Sequence, residues 1–168
     1  MLLMHIGGAI VALVLGAFQF NPRIRNRHLR LHRAMGRTYL IAVLVGGIGG
    51  LAHSTVAYGG LPTRVGFALL AASWLASGAL AYRRIRAGDT VHHREWMIRC
   101  YALTMAGVTL RLWQPLLGGG FGVPFAESYV TVAWLAWVPN LMVAEWWIHR
   151  TQAPARRQVV ETSIPAAG

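Results

Sequence analysis

Long apolar runs alternate along this chain with short, arginine-bearing segments. A helix that crosses a hydrocarbon core needs about 20 predominantly apolar residues. Five stretches meet that requirement: 2–20, 38–57, 65–82, 96–117 and 125–148. Turn residues close them: Asn21-Pro22 after the first, Tyr58-Gly59-Gly60-Leu61-Pro62 after the second, and Gly118-Gly119-Gly120 with Pro124 between the last two. Pro139 lies inside the fifth stretch and predicts a kink, tolerated where neighbouring helices cover the freed backbone groups. Residues 1–16 lack the basic start and small-residue cleavage site of a secretory signal, so they read as a retained first helix. The pattern predicts an all-α, polytopic transmembrane bundle of about five helices over 1–150, with a disordered cytoplasmic tail over 151–168.

Composition agrees. The 168 residues are 55% hydrophobic and 12% charged, too apolar for a solvated surface. All sixteen basic residues are arginine, against five acids, giving a net charge of +11. Such charge alone suits a nucleic-acid binder. Here the arginines stand between apolar runs, so the expected partners are the bilayer and its anionic headgroups, and not nucleic acid. Fourteen of the sixteen fall in 23–37, 83–99 and 150–157, which successive crossings place on one side; Arg64 and Arg111 fall towards the other. The positive-inside rule makes the rich side cytoplasmic and the N-terminus external, in a multi-pass protein of the inner (cytoplasmic) membrane. The single cysteine, Cys100, excludes an intrachain disulfide and reads as a small hydrophobe inside a helix.

The main chemical signal is seven histidines in so apolar a chain. His5 and His53 each lie about one turn inside the outer ends of adjacent helices. His32 and His93 precede the second and fourth stretches at matched depth on the cytoplasmic side. Two histidine pairs at opposite ends of a bundle are what a two-haem b-type cytochrome needs, each iron taking an imidazole from each of two helices. Residues 32 and 53 stand roughly 31 Å apart along a helix at about 1.5 Å per residue. That separation makes a single outer haem on His5 and His53 the less demanding version. Against these stands a plainer account: an interfacial histidine beside arginines is solvated or headgroup-bound, and an intramembrane one bonds a carbonyl or its neighbour. His28 and His32, at i and i+4, also share a helix face suited to a metal, but no third ligand is evident, so no metal site is assigned. The run Gly46-Gly47-Ile48-Gly49-Gly50 allows close approach, for helix packing more often than for a flat cofactor.

Arg111 lies about two turns below the outer end of its helix and needs a partner there. Glu127 is the structural candidate, with a haem propionate or lipid phosphate as the functional one. Glu145, near the inner end of the fifth stretch, is expected to pair with Arg99. Trp96, Trp113, Trp146 and Trp147 fall at helix ends as interfacial anchors, while Trp134 and Trp137 sit deeper, as packing residues or a cavity wall.

The segments HIGGAIVALVLGAFQF from His5, LHRAMGRTYL from Leu31, HREWMIRCYALTMAGVTLRLW from His93 and VAWLAWVPNLMVAEWW from Val132 together resemble a bacterial membrane-protein family, domain of unknown function 2306. The resemblance covers nearly all the chain to Trp147, and LHRxxGR with HRxWMIR is specific in combination. It implies a multi-pass membrane protein and supplies no activity. The matching positions include His5, His32, Arg33, Gly36, Arg37, His93, Trp96, Arg99, Arg111, Asn140 and Glu145, whereas His53 lies outside them. Many such proteins carry more chain before the first motif, so a short form or a misassigned start is expected.

Three classes of function fit these features. The leading one is a non-catalytic scaffold, interaction or assembly protein with membrane-protein partners. The second is an electron-transfer protein with bis-histidine haem b, quinone-linked, whose candidate cofactor residues are His5, His53, His32, His93 and Arg111. The third is a small transporter or channel subunit, although no internal repeat is visible. Whether the chain is an enzyme stays open; the phosphate-loop, nucleophile-elbow and HExxH signatures of conventional hydrolases are absent from the sequence.

Overall fold

The computed structural model describes the backbone of residues 1–163 and the side chains of residues 1–151. The expected disordered tail over 151–168 falls partly outside those residues. In the described part, the last helix continues as backbone to Ser163.

The chain is an all-helical bundle. Its elements are α1 (Leu2–Gln19), α2 (Pro22–Arg27), α3 (Leu29–Ser54), α4 (Gly60–Arg86), α5 (Thr90–Thr104), α6 (Ala106–Pro115), a π-helical turn (Leu116–Gly120), α7 (Phe125–Leu135) and α8 (Val138–Ser163). Among the described residues, α1, α3 and α4 are long and apolar enough to cross a membrane singly. The fourth and fifth expected crossings are instead broken pairs, α5 with α6 and α7 with α8. The second break follows from Pro139, which lacks the N–H an inner helical turn requires and crowds the carbonyl four residues back. The first, at Met105, has no proline. There the Asn140 side chain reaches across from α8 and donates to Ala102 O at 3.2 Å, the intrusion of a side chain into a helical ladder that bends helices.

Successive crossings run antiparallel. Gly8 of α1 packs on Ala42 and Gly46 of α3, and Gly47 of α3 on Leu75 of α4. Trp74 of α4 reaches Thr104 of α5, and Arg99 of α5 reaches Glu145 of α8. This order gathers 20–37, 83–94 and 148–151 at one end of the bundle, the arginine-rich end. α1 and α3 touch backbone to backbone: a Cβ on Gly8 would stand 2.6 Å from Ala42 O and Gly46 N. Lipid offers little hydrophobic drive for association, so small residues that permit such contact do the packing. The glycine run thus serves helix packing.

At mid-bundle the core is stitched by hydroxyl groups. Thr104 Oγ1 receives Trp74 Nε1–H at 2.9 Å, meets Tyr39 Oη at 3.0 Å and donates to Cys100 O at 2.9 Å. Tyr39 and Cys100 are fully buried, joined by a Tyr39 O–H to Sγ contact of 3.3 Å. Cys100 is a buried free thiol in a helix. Trp137 is also buried and donates to Ala133 O, so it packs rather than lining a cavity.

Candidate functional site

At the arginine-rich end, the turn between α4 and α5 is built by Gly88, whose φ of 78° suits glycine, and by Asp89, which caps α5. Asp89 Oδ1 accepts His92 N–H at 3.0 Å. That cap fixes the first turn of α5 and with it His93, whose Nδ1 lies 2.8 Å from Ala81 O. The bond makes Nδ1 the donor and leaves Nε2 unprotonated in the neutral ring. His32 lies in the first turns of α3, with Arg33 next to it and Arg25 on the preceding short helix. Its Nδ1 is buried with no hydrogen-bond partner among the described residues. Gln19, buried at the end of α1, donates to His32 O at 3.3 Å and ties the backbone in place. His32 and His93 thus lie at the same end of the bundle.

In the outer pair, His5 shares the Nδ1–carbonyl contact seen at His93. His5 Nδ1 lies 2.9 Å from Gly46 O, and its ring meets Trp74 edge-on at 6.4 Å. A Cβ on Gly50 would stand 2.7 Å from His5 Nδ1, and one on Gly49 2.8 Å from His5 N. His5 is thus seated directly on the α3 backbone, with its Nδ1 bonded there. The His53 side chain, half-buried in the last turn of α3, makes no hydrogen bond among the described residues. His28 is the residue between α2 and α3, outside helical geometry at φ −128°, ψ 58°. No three metal-ligating side chains converge among the described residues.

The charged residues separate as well. Arg99 grips Glu145 with both arms, Nε to Oε1 at 2.6 Å and Nη2 to Oε2 at 2.8 Å, the planar fork that guanidinium and carboxylate favour. Its guanidinium also lies 4.7 Å from the Trp96 ring centre and 3.9 Å from the buried carboxylate of Glu95. Arg111 does not pair with Glu127 among the described residues. It is exposed on α6, and Nη1 donates to Gly107 O, one turn back, at 2.6 Å.

A groove of about 590 Å³ opens between α5–α6 and α8, its walls including Phe20, Arg94, Tyr101, Ala102, Asn140 and Trp147. Its floor is the place where the two broken crossings meet. Asn140 Nδ2 faces three acceptors: Ala136 O at 3.0 Å, Ala102 O at 3.2 Å and Thr109 Oγ1 at 3.2 Å. Two of these are carbonyls, so the amide orientation is fixed, and Oδ1 has no donor among the described residues. Thr109 gives its own proton to backbone carbonyls, including Ala136 O. Sequence reasoning gave Asn140 no role and passed over Thr109. The available signal was an amide directly after a helix-breaking proline within an apolar run.

Residues 2–148 match the family described as predicted membrane protein DUF2306. The chain belongs to that family. Every site described above falls inside the matched span, whose description states a membrane location and no activity. No curated protein and no solved structure matches the chain.

Proposed function

We propose that this family member is an electron carrier of the cytoplasmic membrane, holding haem b at its arginine-rich end between His32 and His93. The reading rests on one observation: His32 Nδ1 is buried without a partner among the described residues, at the same end of the bundle as a histidine whose ring is held by a carbonyl. A buried polar atom left unpaired costs about 1–3 kcal/mol, and a ligand-bound site is one setting in which that cost is offset. A backbone carbonyl on Nδ1 is the outer-shell contact that orients an imidazole for ligation through Nε2. Arg25 and Arg33, close to His32 in sequence at the same end of the bundle, suit the propionates of a haem. Bound haem would supply one-electron chemistry; the chain's own residues hold, orient and neutralise it. The arginine count supports placing this end in the cytoplasm.

The test is spectroscopic. Protein purified in detergent with haem supplied should show a Soret band at one haem per chain that shifts on reduction. His32→Ala and His93→Ala should each remove it, while His5→Ala and His53→Ala should leave it. Absence of the band, or its loss in the outer variants alone, overturns the reading.

A second reading, as an assembly partner, draws on Arg111. An exposed guanidinium on an apolar helix, with only its own backbone for a partner among the described residues, suits an acidic side chain from another subunit. Cross-linking from position 111 in membranes, absent in the purified chain, would support it.

A further inference from the structure

The groove between α5–α6 and α8 offers one hydrogen-bonding atom at depth, and that atom can only accept. Both Asn140 amide hydrogens are committed to carbonyls and Thr109, and the Thr109 proton is committed to carbonyls. Tyr101 turns its hydroxyl towards Leu13 O, at 3.5 Å. What remains facing the groove is Asn140 Oδ1. Its depth follows from Ala102, which bonds the same amide. Ala102 is eight residues from Arg94, so the acceptor lies about 12 Å further into the bundle than Arg94, the one charged wall residue among the described residues.

That depth selects the occupant. A phospholipid keeps its polar atoms at headgroup level, near Arg94, and would bring only C–H groups to Asn140. Leaving an amide oxygen facing hydrocarbon is costly. The missing group is a hydroxyl donor on a lipid-soluble, flat, largely apolar body, and the Tyr101 ring, next to Ala102, lines the wall near that depth. We propose that this groove binds the ring of a membrane quinol, one ring hydroxyl donating to Asn140 Oδ1, and that it prefers the quinol to its quinone. A quinone carries acceptors alone and meets an acceptor there. Loss of this bond corresponds to about tenfold weaker binding. Any role of the quinol as electron partner rests on the haem reading above, whereas binding does not.

The experiment is anaerobic titration of the protein in lipid nanodiscs with duroquinol and with duroquinone, empty nanodiscs correcting for partitioning. Saturable binding of one duroquinol per chain is expected, with duroquinone about tenfold weaker. Asn140→Leu should equalise the two. Because Asn140 also braces two helices, Val143→Trp serves as a second variant. It fills the groove from an exposed wall position and should abolish binding of both. Binding no greater than partitioning, equal or tighter duroquinone binding by the wild type, or unchanged binding in Val143→Trp overturns the proposal. The titration needs no Soret band, so a failed haem reading and a failed quinol site are told apart.

Discussion

Thr109 and Asn140 meet where both broken crossings bend, 3.2 Å apart, and between them they bond Ala102 O and Met105 O at the first break and Ala136 O at the second. A proline or a distorted turn strands backbone acceptors in a region without water, and only protein groups can satisfy them. Thr109→Val keeps the shape and removes the hydroxyl. It should lower stability by about 1 kcal/mol, the scale of interhelical hydrogen bonds in membranes. Thr109→Ser should recover most of that. Thermal unfolding in detergent reads both, and equal stability of the Val variant would show that the hydroxyl bonds contribute nothing.

Gly8 makes a sharper case. A Cβ there would sit 2.6 Å from Ala42 O, while the neighbouring Gly7 has nothing within 4 Å of its own added Cβ. Gly8→Ala must push α1 from α3 and loosen the seat of His5 on Gly46 O. Overpacking of this kind costs about 1–3 kcal/mol. Gly7→Ala should be neutral or slightly stabilising, since alanine is the better helix former. The two melting temperatures, compared side by side, check the claim. Equal effects would mean that α1 and α3 do not rely on this contact.

The bundle was legible in the sequence because its determinants are periodic and additive. Apolar length gave the crossings, and arginine position gave the end at which 20–37, 83–94 and 148–151 gather. The Arg99–Glu145 pair was legible because depth alone excluded the alternative partner. Arg111 was not, since depth matched it to Glu127 while side-chain direction turned it onto Gly107 O. The break at Met105 was hidden for a related reason: its cause, Asn140, lies on another helix. Matched depth also paired His5 with His53. Depth carries no information about which face of α3 the glycine run offers, and that face takes His5.

Arg99 and Glu145 form a forked pair that is partly exposed, the arginine at 18% and the glutamate at 41% of their side-chain surface. An exposed pair is worth little and a buried one costs much to break. This pair should fall between, with a coupling of about 1–2 kcal/mol in a double-mutant cycle of Arg99→Leu and Glu145→Leu. Arg99→Leu alone should do more harm than Glu145→Leu alone, because it also leaves the buried Glu95 carboxylate without the guanidinium 3.9 Å away. A coupling near zero would reduce the pair to a surface contact.

The turn that aims His93 carries its own pH dependence. The His92 backbone N–H, then its side chain and Arg84, hold the Asp89 carboxyl below its ordinary value. A lowered carboxyl pKa means that the folded state binds the proton less readily than the unfolded state. The Asp89 contribution is therefore fully present above about pH 4, the ordinary aspartate value, and is lost as pH falls through the lower folded value. Neutralising the cap frees the first turn of α5 and, one residue on, the ring held by Ala81 O. Asp89→Ala should reproduce that loosening at neutral pH and remove the Asp89-dependent part of the acid sensitivity. Asp89→Asn, which still caps a helix, should preserve the turn at both pH values. Amide hydrogen exchange at 90–94, measured at pH 7 and pH 3, reads the difference. Protection factors, corrected for the intrinsic pH dependence of exchange, should be lower in the Ala variant at both pH values, and in the wild type should fall only in acid, once Asp89 is protonated. Unchanged protection in Asp89→Ala would mean that the Arg84 side of the turn and the packing of α5 on α4, not the cap, set the position of His93.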